Sequence, residues 1–100
     1  MTSKERAKLK GIASTMDTIL QIGKNPISPE LVKQVDDALT AREMIKLKVL
    51  ETSELTAREA AEALAEQTHS EVVQTIGNKI ILFRRRPKSQ KKPSYLDDVK

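Results

Sequence analysis

The stretch Met44-Ile45-Lys46-Leu47-Lys48-Val49-Leu50 alternates apolar and basic residues, so an extended chain turns Ile45, Leu47 and Val49 to one side and Lys46 and Lys48 to the other. Such a strand needs cover on its apolar side only. Residues 29 to about 40 supply it, with Leu31, Val32, Val35, Ala38 and Leu39 at helical spacing and Lys33, Gln34, Asp36 and Asp37 turned outward. Residues 56 to about 67 form a further helix, opened by the capping box Thr56-Ala57-Arg58-Glu59 and lined by the small residues Ala60, Ala61 and Ala63 with Leu64.

Upstream, Thr2-Ser3-Lys4-Glu5 is another capping box. It opens a first helix of about ten residues with Leu9, Ile12, Ala13 and Met16 on its apolar side. Residues 18–22 make a short strand before Gly23. Near the end, residues 71–76 and 79–84 flank Gly77-Asn78, a Gly-first hairpin signal. The order α-β-α-β-α-β-β predicts an α/β fold, a two-layer structure with a mixed four-stranded sheet. Its two strand-helix-strand units favour parallel neighbours, followed by one antiparallel hairpin.

Length and composition bound the function. A chain of 100 residues holds one domain, expected over 1–84, and a tail, 85–100, rich in Pro, Ser and basic residues and expected to be disordered when free. The absence of cysteine excludes a disulfide framework and thiolate metal sites. No apolar run is long enough for a signal peptide or a membrane span, so a soluble cytoplasmic protein is expected. The net charge of +4 is unevenly placed: residues 84–100 carry seven basic residues against two acidic ones, or +5, leaving −1 for the rest. The first helix is locally basic through Lys4, Arg6, Lys8 and Lys10. Basic clusters at both ends point to a polyanion.

Phe83 and Tyr95 are the only aromatic rings. Modules that stack bases on several exposed rings are therefore excluded, and recognition of a nucleic acid would have to act on its backbone. Catalysis finds no support, because one isolated histidine, His69, and no Walker-type loop leave nothing for acid–base or nucleophilic chemistry. Asp36 and Asp37 are adjacent on a helix and do not face each other. No cofactor, metal or small-molecule substrate is expected.

The loop Ile22-Gly23-Lys24-Asn25-Pro26-Ile27-Ser28-Pro29 joins the first strand to the second helix. Ser28 is placed as N-cap and Pro29 as first helical residue, while Gly23 can adopt angles closed to other residues. A helix start favours anions, and Lys24 lies at the tip. Gly, Asn, Pro and Ser are also ordinary loop residues.

Three stretches resemble the YhbY or CRM domain family of small RNA-binding proteins associated with the large ribosomal subunit precursor. They are Ile22-Gly23-Lys24-Asn25, Ala41-Arg42-Glu43-Met44-Ile45-Lys46-Leu47-Lys48-Val49, and Val73-Gln74-Thr75-Ile76-Gly77-Asn78 with residues 80–84. The resemblance implies a fold similar to the C-terminal domain of translation initiation factor three and a GxxG loop that meets RNA in the manner of KH domains. Here the second glycine position is Pro26, which lacks an amide proton, so the loop is degenerate.

The expected function is a non-catalytic RNA-binding protein of pre-50S assembly, contacting structured ribosomal RNA without a membrane partner. Gly23, Lys24 and Asn25 form the loop contact. Lys4, Lys8, Lys10, Lys46, Lys48, Arg84, Arg85 and Arg86 form the flanking patch. The competing expectation is a protein-interaction module within an assembly complex, using the acidic side of the third helix or the tail.

Overall fold

The computed structural model describes residues 1–86 and 94–96. In chain order the elements are α1 (Ser3–Ala13), β1 (Leu20–Ile22), α2 (Pro29–Arg42), β2 (Met44–Val49), α3 (Ala57–Thr68), β3 (Glu71–Ile76) and β4 (Lys79–Phe83). Local chemistry sets the helix starts. Glu5 N–H donates to Thr2 Oγ1 at 3.1 Å and Thr2 N–H to Glu5 Oε1 at 2.9 Å. The same reciprocal pair joins Thr56 and Glu59 at 3.2 and 3.0 Å. Ser28 Oγ accepts Leu31 N–H at 3.2 Å, with Pro29 at the first helical position.

The four strands form one mixed sheet in the order β1-β2-β4-β3. β1 runs parallel to β2, and β4 runs antiparallel to both β2 and β3. The first strand-helix-strand unit therefore makes parallel neighbours as expected. The second does not: α3 carries the chain one place past β2, and β4 folds back into the gap. Burial explains this choice. Residues 80–83 are buried on both faces of the sheet, whereas β3 contributes only Val73 to the fully buried set and suits an edge.

The two faces carry different cores. On one, α2 and α3 cover Ile22, Ile45, Leu47, Val49, Ile80 and Leu82. On the other, α1 lays Leu9 and Ala13 over Met44, Val73, Ile81 and Phe83, and Leu96 from the C-terminal segment completes the cluster. β3 has an irregularity between Val72 and Gln74, so Val73 is an extra residue. Arg6 of α1 holds it, donating through Nη1 to the carbonyls of Val72 and Val73 at 2.8 Å each.

At the hairpin, positive φ falls on Gly77, at 56°, and not on Asn78, which fits the Gly-first turn. Glu43 ends α2 with φ 68° and ψ −46°, where side-chain-bearing residues are uncommon. Four hydrogen bonds hold it. Its N–H donates to Leu39 O at 2.8 Å and its carbonyl accepts Arg84 N–H at 2.9 Å. Its carboxylate, wholly buried, accepts the N–H of Arg86 and of Tyr95, each at 2.7 Å.

The expected disordered tail falls mostly on 87–93 and 97–100, outside the described residues. Where the tail is described it is seated, through Tyr95 on Glu43 and Leu96 in the α1-side core.

Two outcomes follow from these hydrogen bonds. Glu43→Ala leaves two part-buried N–H groups without their acceptor, and a urea denaturation curve is expected to show a loss of about 2–4 kcal/mol; an unchanged midpoint would contradict the anchoring role. The second concerns acid. The Glu5 and Glu59 carboxyls are held below the ordinary value of 4.5, chiefly by the backbone N–H of Thr2 and Thr56 respectively. Because the folded values are depressed, this contribution is present above the ordinary carboxylate range and is lost as pH falls through the folded values. Thermal melts on the acid side should fall less steeply for Glu59→Gln than for the unmodified chain.

Candidate nucleic-acid interface

One end of the sheet gathers three connections. β1 ends at Ile22, whose carbonyl accepts Leu50 N–H at 2.8 Å, and Val49 N–H donates to Asn78 O at 2.7 Å. The loop after β1, the connection from β2 to α3 and the Gly77-Asn78 turn therefore lie together.

Within the first loop, Lys24 and Asn25 are exposed and Pro26 is buried. The Asn25 carbonyl accepts Ser28 N–H at 3.4 Å, so the loop closes through a short turn into the α2 cap. Among the described residues, no partner takes the amides of Lys24 and Asn25. The buried proline ring fixes one end of the loop while its tip presents an ammonium and two amides to solvent.

Gly23 does not use the conformational freedom for which glycine is singled out. Its φ lies outside the left-handed region, and a Cβ built on it would meet Thr52 Oγ1 at 3.7 Å and Leu50 Cδ1 at 4.0 Å, ordinary contact distances. What glycine supplies here is a bare backbone. The helix start is also a weaker attractor of anions than its dipole suggests. Ser28 already occupies the Leu31 amide, Pro29 has no N–H, and Glu30 places a carboxylate in the first turn.

The flanking cations divide by what they touch. Lys4 and Lys10 are exposed on α1 and Lys8 is half-buried. Strand alternation puts Lys46 and Lys48 on the α1 face of the sheet with Met44. That face is not wholly open, because α1 lies over its Met44 end. Lys46 Nζ donates to the carbonyl of Ala13 at 3.2 Å, answering the negative end of α1. Lys48 lies beyond, nearer the glycine loop.

The run 84–86, expected as one extension of the patch, separates into three roles. Arg84 clamps β4 to both helices of the opposite layer. Its Nη1 donates to Asp36 Oδ1 at 2.5 Å and to Thr68 O at 2.8 Å, and its Nη2 to Asp36 O at 3.0 Å and Thr40 Oγ1 at 2.7 Å, leaving the side chain 25 % exposed. These bonds leave little of the guanidinium for a ligand. Asp36, read from the sequence as solvated surface, is the clamp's acceptor. Arg85 is exposed and ion-paired with Glu5 at 3.4 Å. Arg86 donates through its backbone to Glu43 and through Nη2 to Ala41 O at 3.1 Å.

The acidic groups of α3 lie in the other layer. Glu59 is the capping carboxylate and Glu62 pairs with Arg58 at 3.4 Å. His69 is the exposed C-cap of α3 at φ 54° and ψ 42°, a backbone role. The roles of Arg6, Glu43 and Lys79 do not show in the sequence. The first two act on partners far along the chain, and Lys79 shows only as one polar residue opening an apolar strand.

Comparison with known proteins supplies the lineage. The "Probable RNA-binding protein YqeI" of Bacillus subtilis is 39 % identical over 84 residues, covering 84 % of this chain and 88 % of the relative. A Haemophilus influenzae protein named "RNA-binding protein" is 29 % identical over 84 residues, covering 84 % and 85 %. The solution structure of a Staphylococcus aureus hypothetical protein, described as a candidate RNA-binding protein, superposes with a TM-score of 0.75 at 38 % identity, covering 94 % of this chain and 98 % of that one. The model of the CRS1 / YhbY (CRM) domain matches residues 1–84, and the chain belongs to that family.

Proposed function

We propose that this is a non-catalytic RNA-binding protein whose ligand is structured RNA of the large ribosomal subunit precursor. The observation that carries the reading is the loop tip. Lys24 and two untied amides stand exposed at the end of a sheet whose α1 face also carries Lys48, with the exposed lysines of α1 on the helix that covers it. Amides and ammonium groups suit a ribose-phosphate chain and need no stacking ring. Relatives named for RNA binding support the same partner. The carboxylates of α3 lie in the opposite layer, so RNA on the α1 side avoids them. Lys4, Lys8, Lys10 and Arg85 extend the cationic face, whereas Arg84 acts on it through structure.

Two substitutions separate the loop's contact from its fold. Lys24→Glu is expected to weaken binding to a labelled ribosomal RNA fragment at fixed salt, with an unchanged melting temperature. The log-log salt dependence should lose about 0.7–0.9, the share of one phosphate. Gly23→Ala is expected to melt as the unmodified chain does, since its Cβ has room, and to bind RNA more weakly because the methyl holds the strand off the backbone. Unaltered affinity in both variants would remove the loop from the interface. The assembly role is tested by gradient sedimentation of lysate: the protein is expected with pre-50S particles and released from them by ribonuclease.

A further inference from the structure

Beyond the Lys46 contact with the end of α1, two lysines stand opposite each other on the sheet. Lys48 of β2 and Lys79 of β4 are registered partners in the antiparallel pair. Met44 with Phe83, Lys46 with Ile81 and Lys48 with Lys79 form successive rungs on one face, since alternate residues share a side. The first rung is covered by α1 and Leu96, and Lys46 of the second is bound to Ala13 O. Lys48 and Lys79 of the third are half-buried and lie outside the cluster that α1 and Leu96 cover. Gln21 of β1 is registered with Lys48, and Ile76 of β3, 55 % exposed, with Lys79.

Like charges placed directly across a strand pair destabilise it, and an acid at either position would remove that cost. Here neither ammonium has a hydrogen-bond or ion-pair partner among the described residues. An anion between the two would turn repulsion into attraction. The rung also lies on a path from the loop, because Gln21 is two residues before Gly23 and Asn78, which bonds Val49, is next to Lys79.

We infer that Lys48 and Lys79 form a two-pronged seat for a single phosphate group of the RNA strand that crosses the Gly23 loop, with the Gln21 amide beside it. The seat rests on the RNA-binding reading and extends it from the loop onto the sheet. Ile76 next to Lys79 offers an apolar surface to a ribose or a base face.

The test is an anisotropy titration of a fluorescein-labelled ribosomal RNA stem-loop, with thermal melts of each variant. Lys79→Glu is expected to melt above the unmodified chain, because the new carboxylate pairs with Lys48, and to bind at least about tenfold more weakly. Lys48→Gln and Lys79→Gln should each weaken binding, and the double variant should be within about twofold of the weaker single one, as for two groups on one ligand atom set. A raised melting temperature with affinity within about twofold of the unmodified chain, while Lys24→Glu still weakens binding, overturns the seat and leaves the loop reading standing. Losses that multiply in the double variant overturn the single-phosphate seat in favour of two separate contacts. Indifference of RNA to all of these variants, Lys24→Glu included, overturns both readings.

Discussion

Four consecutive apolar residues, Ile80, Ile81, Leu82 and Phe83, can leave water only if both faces of their strand are covered. That requirement orders the rest of the molecule. It draws β4 between β2 and β3, obliges α3 to carry the chain across one sheet position, and demands a second cover opposite α2 and α3. α1 and Leu96 provide that cover. α1 shields the Met44 end of the face, while Lys48 and Lys79 toward the other end are half-buried and outside the cluster it covers.

Where β4 ends, polar chemistry takes over from packing. Arg84 reaches into the α2–α3 layer, and Glu43 gathers backbone donors from Arg84, Arg86 and Tyr95 on its own carbonyl and carboxylate. A buried carboxylate is tolerable only when hydrogen-bonded, and these donors meet that condition. The unusual backbone angle at Glu43 follows from the same convergence: α2 must stop and β2 begin within one residue, between Arg42 and Met44.

Elements set by neighbours in sequence were legible. The capping boxes at Thr2 and Thr56, the Ser28-Pro29 start and the Gly77-Asn78 turn each depend on atoms a few residues apart, and each forms where the residue types indicate. What depends on distant partners was not legible. The insertion of β4, the clamp from Arg84 to Asp36 forty-eight positions away, and the seating of Tyr95 on Glu43 have no local signal. In the loop, residue types mark the exposed tip at Lys24 and Asn25, while the left-handed angles open to Gly23 go unused. Lys46 illustrates the limit for charges, since an alternating pattern gives the face a lysine occupies but not whether a helix end will claim it.

The extra residue at Val73 has a consequence for the sheet's parity. Val73 is taken up as a bulge between the Val72–Leu82 and Gln74–Ile81 pairs, so Ile76, four residues on from Val72, stands on the opposite face, registered with Lys79. Arg6, reaching from α1 to the carbonyls of Val72 and Val73, sits where the strand's alternation shifts. Changes in the length of β3 downstream of that contact should obey an even–odd rule: removal of one residue inverts the strand's remaining pattern, and removal of two restores it.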